Sequence, residues 1–126
     1  MNSVLDASAV LALLLDEPGA ARIEAHLGSG CVSAVNVAEV ITKLMEKGFH
    51  RQQALGLWSG LGATVVDFTA EQAIETGLLR PATAAAGLSL GDRACLTLAA
   101  RLGATALTTD RAWARINLGI AVELVR

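Results

Sequence analysis

With 126 residues the chain has room for one domain, expected over 1–126, and for a core that needs no staples. Its 10 Lys and Arg against 12 Asp and Glu leave a net charge of −2, which argues against strong non-specific binding to nucleic acid. Two isolated cysteines, Cys31 and Cys95, exclude a disulfide framework or a zinc knuckle and read as small buried residues of a reducing cytoplasm. The first β-type segment is Ser3 to Asp6, followed by helical pattern from Val10 to Leu15. Asp6 interrupts this apolar stretch and no basic lead-in precedes it, so it does not read as a signal peptide, and no run of about 18 apolar residues predicts a membrane span. Pro18 and Gly19 punctuate before a helix from Ala20 to Leu27. Gly28-Ser29-Gly30 turns the chain into a strand at Cys31-Val32. A longer helix from Ala34 to Lys47 stops at Gly48, and another runs from Gln53 to Leu61.

The third strand is Thr64 to Asp67, and Thr69 caps a helix from Ala70 towards Leu79. Arg80 to Leu88 reads as a helix end plus loop. Leu90 to Leu102 is helical and apolar on nearly every side, the pattern of a central buried helix. Gly103 ends it, Ala104 to Thr108 is the fourth strand, Arg111 to Ile116 a short helix, and Val122 to Val125 a last edge strand. Strands that alternate with helices predict an α/β fold whose parallel sheet is covered on both faces. Ligands of such sheets bind beyond the carboxyl ends of the strands, where the strand order reverses.

Carboxylates gather at that edge. Asp6 closes strand one, Asp110 follows strand four, Asp92 opens the helix that leads into strand four, and Glu39 lies in the first turns of the helix after strand two. Packed together, bare carboxylates repel and some protonate, and a divalent cation removes the conflict. An all-oxygen set suits Mg2+ or Mn2+, the cations of phosphodiester hydrolysis. Each acid also has a plainer structural reading. Asp6, Asp92 (within Ser89-Leu90-Gly91-Asp92) and Asp110 sit where helix caps sit. Val37, Val40, Ile41 and Leu44 form an apolar stripe that leaves Glu39 opposite it with Lys43 and Glu46, as on a solvated face.

Four segments in order, Val4-Leu5-Asp6-Ala7-Ser8-Ala9, Ser33-Ala34-Val35-Asn36-Val37-Ala38-Glu39, Leu88-Ser89-Leu90-Gly91-Asp92-Arg93-Ala94-Cys95-Leu96 and Leu107-Thr108-Thr109-Asp110-Arg111-Ala112-Trp113, resemble PIN-domain proteins of the VapC toxin type over essentially the full length. The resemblance implies a three-layer α/β/α sandwich with a central, mainly parallel sheet of four to five strands. It implies one or two Mg2+ or Mn2+ ions held by Asp6, Glu39, Asp92 and Asp110, with Ser8, and less directly Asn36 and Thr109, in supporting hydrogen bonds. Arg93 and Arg111 become candidate phosphate contacts, with surface ion pairing as the equal alternative. The implied activity is endoribonuclease cleavage of a structured RNA such as a transfer RNA, and the implied partner is a small antitoxin. Leu11, Leu14, Leu15, Leu55, Leu57 and Trp58 suit a groove for its amphipathic tail, with core or homodimer packing as the alternative. The 53% hydrophobic and 17% charged composition also points to a partner or a dimer, because it leaves little polar material to cover the surface.

Other classes fit less well. A haloacid-dehalogenase-type phosphotransferase needs a second Asp two residues after the first, where this chain has Ser8. A receiver domain needs a late Lys, and Lys43 and Lys47 are the only lysines, although Asp67 has the place of its phosphorylated Asp. A non-catalytic PIN-like module that binds RNA or protein is the remaining alternative.

Overall fold

Each inner strand carries two apolar neighbours that leave the backbone in opposite directions, and this alternation builds the layers. The computed structural model describes residues 1–126. Its strands β1 (Ser3–Leu5), β2 (Gly30–Ser33), β3 (Thr64–Val66), β4 (Thr105–Thr108) and β5 (Val122–Leu124) form one sheet in the order β3-β2-β1-β4-β5. Every neighbouring pair is parallel, with Val4 beside both Cys31 and Ala106, and Leu5 beside Leu107.

Leu5, Val32 and Leu107 point to one face. There they join Ala9, Val10 and Ala12 of α1 (Ala7–Leu14), Ile23 of α2 (Ala20–Leu27), Val40 and Leu44 of α3 (Ala34–Glu46), and Ala54 of α4 (Arg51–Leu61). Val4, Cys31 and Ala106 point to the other face, where Cys95, Leu96, Leu98 and Ala99 of α7 (Leu90–Leu102) cover them together with Trp113 from a 3-10 turn over Arg111–Arg115. The result is the α/β/α sandwich with five parallel strands. Helix α5 (Ala70–Leu78) packs on the outside of α7 and continues into α6 (Arg80–Thr83), a helical turn within the stretch expected to be a helix end plus loop. Residues Ala94 to Ala99 of α7 are all buried, as the two-sided apolar pattern predicts. No helix is long and apolar enough to cross a membrane.

Helix boundaries differ from the sequence reading where side chains bond to backbone. α1 begins at Ala7, not Val10, because Asp6 accepts from the Ala9 amide and closes the first turn. α4 begins at Arg51, not Gln53, because Gln53 Oε1 accepts from the His50 amide at 2.8 Å and fixes the turn before it. The strand order reverses between β1 and β4, whose carboxyl ends therefore flank the crevice where this class of sheet binds ligands.

Candidate active site

The parallel register that sets Leu5 beside Leu107 brings the next residues, Asp6 and Thr108, together at the crevice. Asp6 is 2% exposed. Its Oδ1 accepts from the Ala9 amide at 2.8 Å and from Ser8 Oγ at 2.7 Å, and its Oδ2 accepts from Thr108 Oγ1 at 2.5 Å. Ser8 Oγ also accepts from the Thr109 amide at 3.0 Å, and Thr108 Oγ1 from the Asp110 amide at 3.0 Å. This network ties the end of β4 to the end of β1 and places Asp110 beside them. Burial pushes Asp6 up from 3.8 to about 6, against the lowering effect of Thr108, Ser8 and Ala9, and the charge of Asp92 pushes in the same direction as burial.

Asp92 reaches the same end of the sheet from the first turn of α7. Its Oδ2 accepts from the Ser89 amide at 2.8 Å while its own amide donates to Ser89 Oγ at 3.2 Å, a reciprocal cap. Asp110 caps the 3-10 turn, accepting from the Ala112 amide at 2.9 Å. The capping readings of Asp6, Asp92 and Asp110 therefore hold, and they do not compete with a site. Capping engages one oxygen each of Asp92 and Asp110 and leaves the other without a hydrogen bond.

Glu39 does not lie on a solvated face. Lys43 and Glu46, on the same side of α3, are exposed and pair with each other at 3.4 Å. One to two turns earlier, the start of α7 covers that side. Glu39 is half-buried there, with Oε1 accepting from Asn36 Nδ2 at 2.7 Å. The helical wheel assigned its face correctly, but it holds no information on where a second helix crosses. Burial raises the Glu39 carboxyl above its ordinary value, with Asp92 adding to the effect. Burial likewise raises Asp92, to which Asp110 adds. Asp92 is thus the centre of the group, near enough to interact with each of the other three acids.

None of the four acids forms an ion pair, although the molecule has four such pairs elsewhere. Arg93, adjacent to Asp92, turns away and donates from Nη1 to the Thr76 carbonyl of α5 at 3.1 Å. Arg111 is exposed at the start of the 3-10 turn. As they stand, no three acidic, His or Cys side chains close on a common point tightly enough to ligate one ion. The donor set nevertheless fits a hard divalent cation. Asp6 is buried, and Glu39 and Asp92 are half-buried. Asp92 raises Asp6 and Glu39 and is itself raised by the exposed Asp110, while Arg93 and Lys43 offset this only in part and without an ion pair to these acids. The free oxygens of Asp92 and Asp110 belong to short side chains at the ends of fixed elements.

Of the supporting residues read from the sequence, Ser8 bonds Asp6 and Asn36 bonds Glu39, while Thr109 contributes its amide to Ser8. Sequence reasoning passed over Thr108, whose hydroxyl is the group bonded to Asp6. The signal was the period-2 pattern of β4, which sets Thr108 level with the residue after Leu5. It also passed over Gly91, whose carbonyl accepts from Asn36 Nδ2 at 3.1 Å.

Among solved structures, the chain is similar to DNA-bound VapBC from Salmonella typhimurium, with 23% identity, TM-score 0.76, and coverage of 98% of this chain and 97% of that one. It is also similar to VapBC2 from Rickettsia felis bound to a promoter DNA fragment, with 20% identity, TM-score 0.74 and 98% of each chain covered. A toxin–antitoxin complex from Klebsiella pneumoniae matches with 16% identity, TM-score 0.74, and 99% of this chain and 98% of that one. At these identities the likeness is one of fold. No curated protein sequence is significantly similar to the chain. Residues 3–118, which include all four acids, match the family model of the PIN domain. The chain belongs to the PIN-domain family.

Proposed function

We propose that this protein is a metal-dependent endoribonuclease and the toxin of a toxin–antitoxin pair. The observation that carries the reading is the gathering of Asp6, Glu39, Asp92 and Asp110, none of them in an ion pair, at the edge where the strand order of a PIN-type sheet reverses. These four residues would hold Mg2+ or Mn2+. The cation supplies activation of water and neutralisation of the charge that develops on a phosphodiester.

The protein's own groups do the positioning. Three donors fix Asp6, so its carboxylate cannot turn away from the crevice when charged. Asp92 and Asp110 each anchor one oxygen on backbone and present the other. Arg111, exposed beside Asp110, is placed to meet a phosphate of the RNA. The near-neutral chain has little charge with which to hold RNA non-specifically, which favours a structured target such as a transfer RNA recognised by shape.

The VapBC complexes from other organisms support a small antitoxin as partner. Leu11, Leu14 and Leu15 around α1 and Leu55, Leu57 and Trp58 of α4 are exposed or half-buried, and they offer its amphipathic segment an apolar bed. Self-association has a separate surface. α5 turns Gln72 and Thr76 inward, 4% and 0% exposed, and leaves Ile74 and Leu78 outside at 66% and 74%. A helix with polar residues inside and large apolar ones outside matches a face that is covered by a second copy of the chain. The expected setting is the cytoplasm.

The test is cleavage of RNA by the purified chain, free of any partner, in Mg2+, Mn2+ or EDTA, with Asp92→Asn alongside. Metal-dependent cutting that the variant loses supports the enzyme. A wild type that binds RNA yet cuts none under any condition, transfer RNA included, moves the reading to a non-catalytic binding module.

A further inference from the structure

Glu39 differs from the other three acids in its mounting. Asp6, Asp92 and Asp110 are short side chains at element ends, each tied to backbone, whereas Glu39 sits inside a helix on a longer, flexible stem. Something must hold its carboxylate if it is to serve a fixed site, and two residues do so. Asn36, one turn earlier and fully buried, donates from Nδ2 to Glu39 Oε1 at 2.7 Å and to the Gly91 carbonyl of α7 at 3.1 Å. Its Oδ1 is buried without a partner, so the amide is spent on this bridge rather than on its own full satisfaction.

Gly91 supplies the space. A Cβ built there would overlap Oε1, Oε2 and Cδ of Glu39. The backbone gives no other reason for glycine. Gly91 is not among the positive-φ residues, and glycine is a poor helix former that alanine would improve. We infer that Asn36 and Gly91 clamp the Glu39 carboxylate over the first turn of α7, next to Asp92, and thereby complete the cation site. They are positioning residues, and the inference rests on the reading of the four acids as that site.

Gly91→Ala is an informative variant because the group it displaces is the far end of a flexible side chain. The carboxylate swings aside and the fold stays closed. In EDTA this variant melts at or above the wild-type temperature, while titration calorimetry with Mn2+ shows a dissociation constant raised about tenfold or more. Asn36→Ala weakens Mn2+ similarly in the wild-type background and has no further effect on top of Glu39→Ala. A merely structural role for Asn36 would instead lower affinity equally in both backgrounds and overturn the clamp. Wild-type Mn2+ affinity in folded Gly91→Ala would overturn it too, and would leave the cation site standing. Absence of saturable Mn2+ binding in the wild type would remove the site reading itself, and the clamp's purpose with it.

Discussion

Asp6→Asn is expected to stabilise the metal-free protein at neutral pH. An ordinary aspartate ionises near 3.8, whereas Asp6 is pushed up to about 6, chiefly because it is taken out of water. The folded state therefore binds the Asp6 proton more tightly than the unfolded chain does. Stability from this group is full below about pH 4, falls between about 4 and 6, and is lost above that. The gap corresponds to about 3 kcal/mol at pH 7.5. Asparagine keeps the volume and has no charge to bury. Its oxygen can accept from Ser8 and the Ala9 amide, its amide can donate to Thr108 Oγ1, and the Thr108 hydroxyl can turn to Ser8 Oγ, 3.3 Å away. Urea denaturation in EDTA from pH 4 to 8 measures the difference between variant and wild type. It should be near zero at pH 4 and approach about 3 kcal/mol by pH 7.5, about 10 °C in melting temperature for a domain of this size. Saturating Mg2+ should reverse the order by stabilising only the wild type, by about 4.1 kcal/mol at about one thousand times its dissociation constant. A variant no more stable than the wild type at pH 7.5, or a difference independent of pH, would refute the burial of a costly charge at Asp6.

Three further outcomes follow from the same geometry. Thr108→Val removes the donor to Asp6 Oδ2 and the acceptor for the Asp110 amide, and should cost about 2 kcal/mol in urea denaturation while raising the pH at which Asp6 titrates, as read by carboxyl NMR. Asp110→Asn retains the cap on the Ala112 amide, so its stability should change by no more than about 0.5 kcal/mol while Mn2+ affinity falls at least tenfold in calorimetry. Ile74→Arg combined with Leu78→Arg places two charges on the outer face of α5, and sedimentation should show a dimer for the wild type and a monomer for this variant, with an unchanged circular dichroism spectrum.

The fold was legible because its signals are local and repeated. Alternating apolar pairs at Val4-Leu5, Cys31-Val32 and Ala106-Leu107 mark a sheet covered on both faces, and the run Ala94 to Ala99, apolar but for Thr97, marks the helix that lies between two layers. Asp6 and Asp110 could be brought together from sequence because parallel strands that end at one edge deliver their next residues to the same crevice. Glu39 could be brought to the same edge by its place after β2, but a solvated face remained the competing reading, since its own helix gives it a polar side and only the crossing of α7 over that side covers it. Gly91 carried no local mark at all. Its importance lies in a missing side chain, which matters only once the neighbour that occupies the space is known. The inverted polarity of α5 was hidden for a related reason, because Gln72, Thr76 and Thr97 read as surface residues until two helices pack them together.

Anomalous diffraction from crystals of the partner-free protein grown or soaked in Mn2+ tests the cation site most directly. Manganese within about 2.0–2.3 Å of carboxylate oxygens from the group Asp6, Glu39, Asp92 and Asp110, absent in Asp92→Asn, is the expected result. A peak elsewhere, or none at saturating Mn2+ with the crevice open to solvent, would contradict the assignment of these carboxylates to a shared metal.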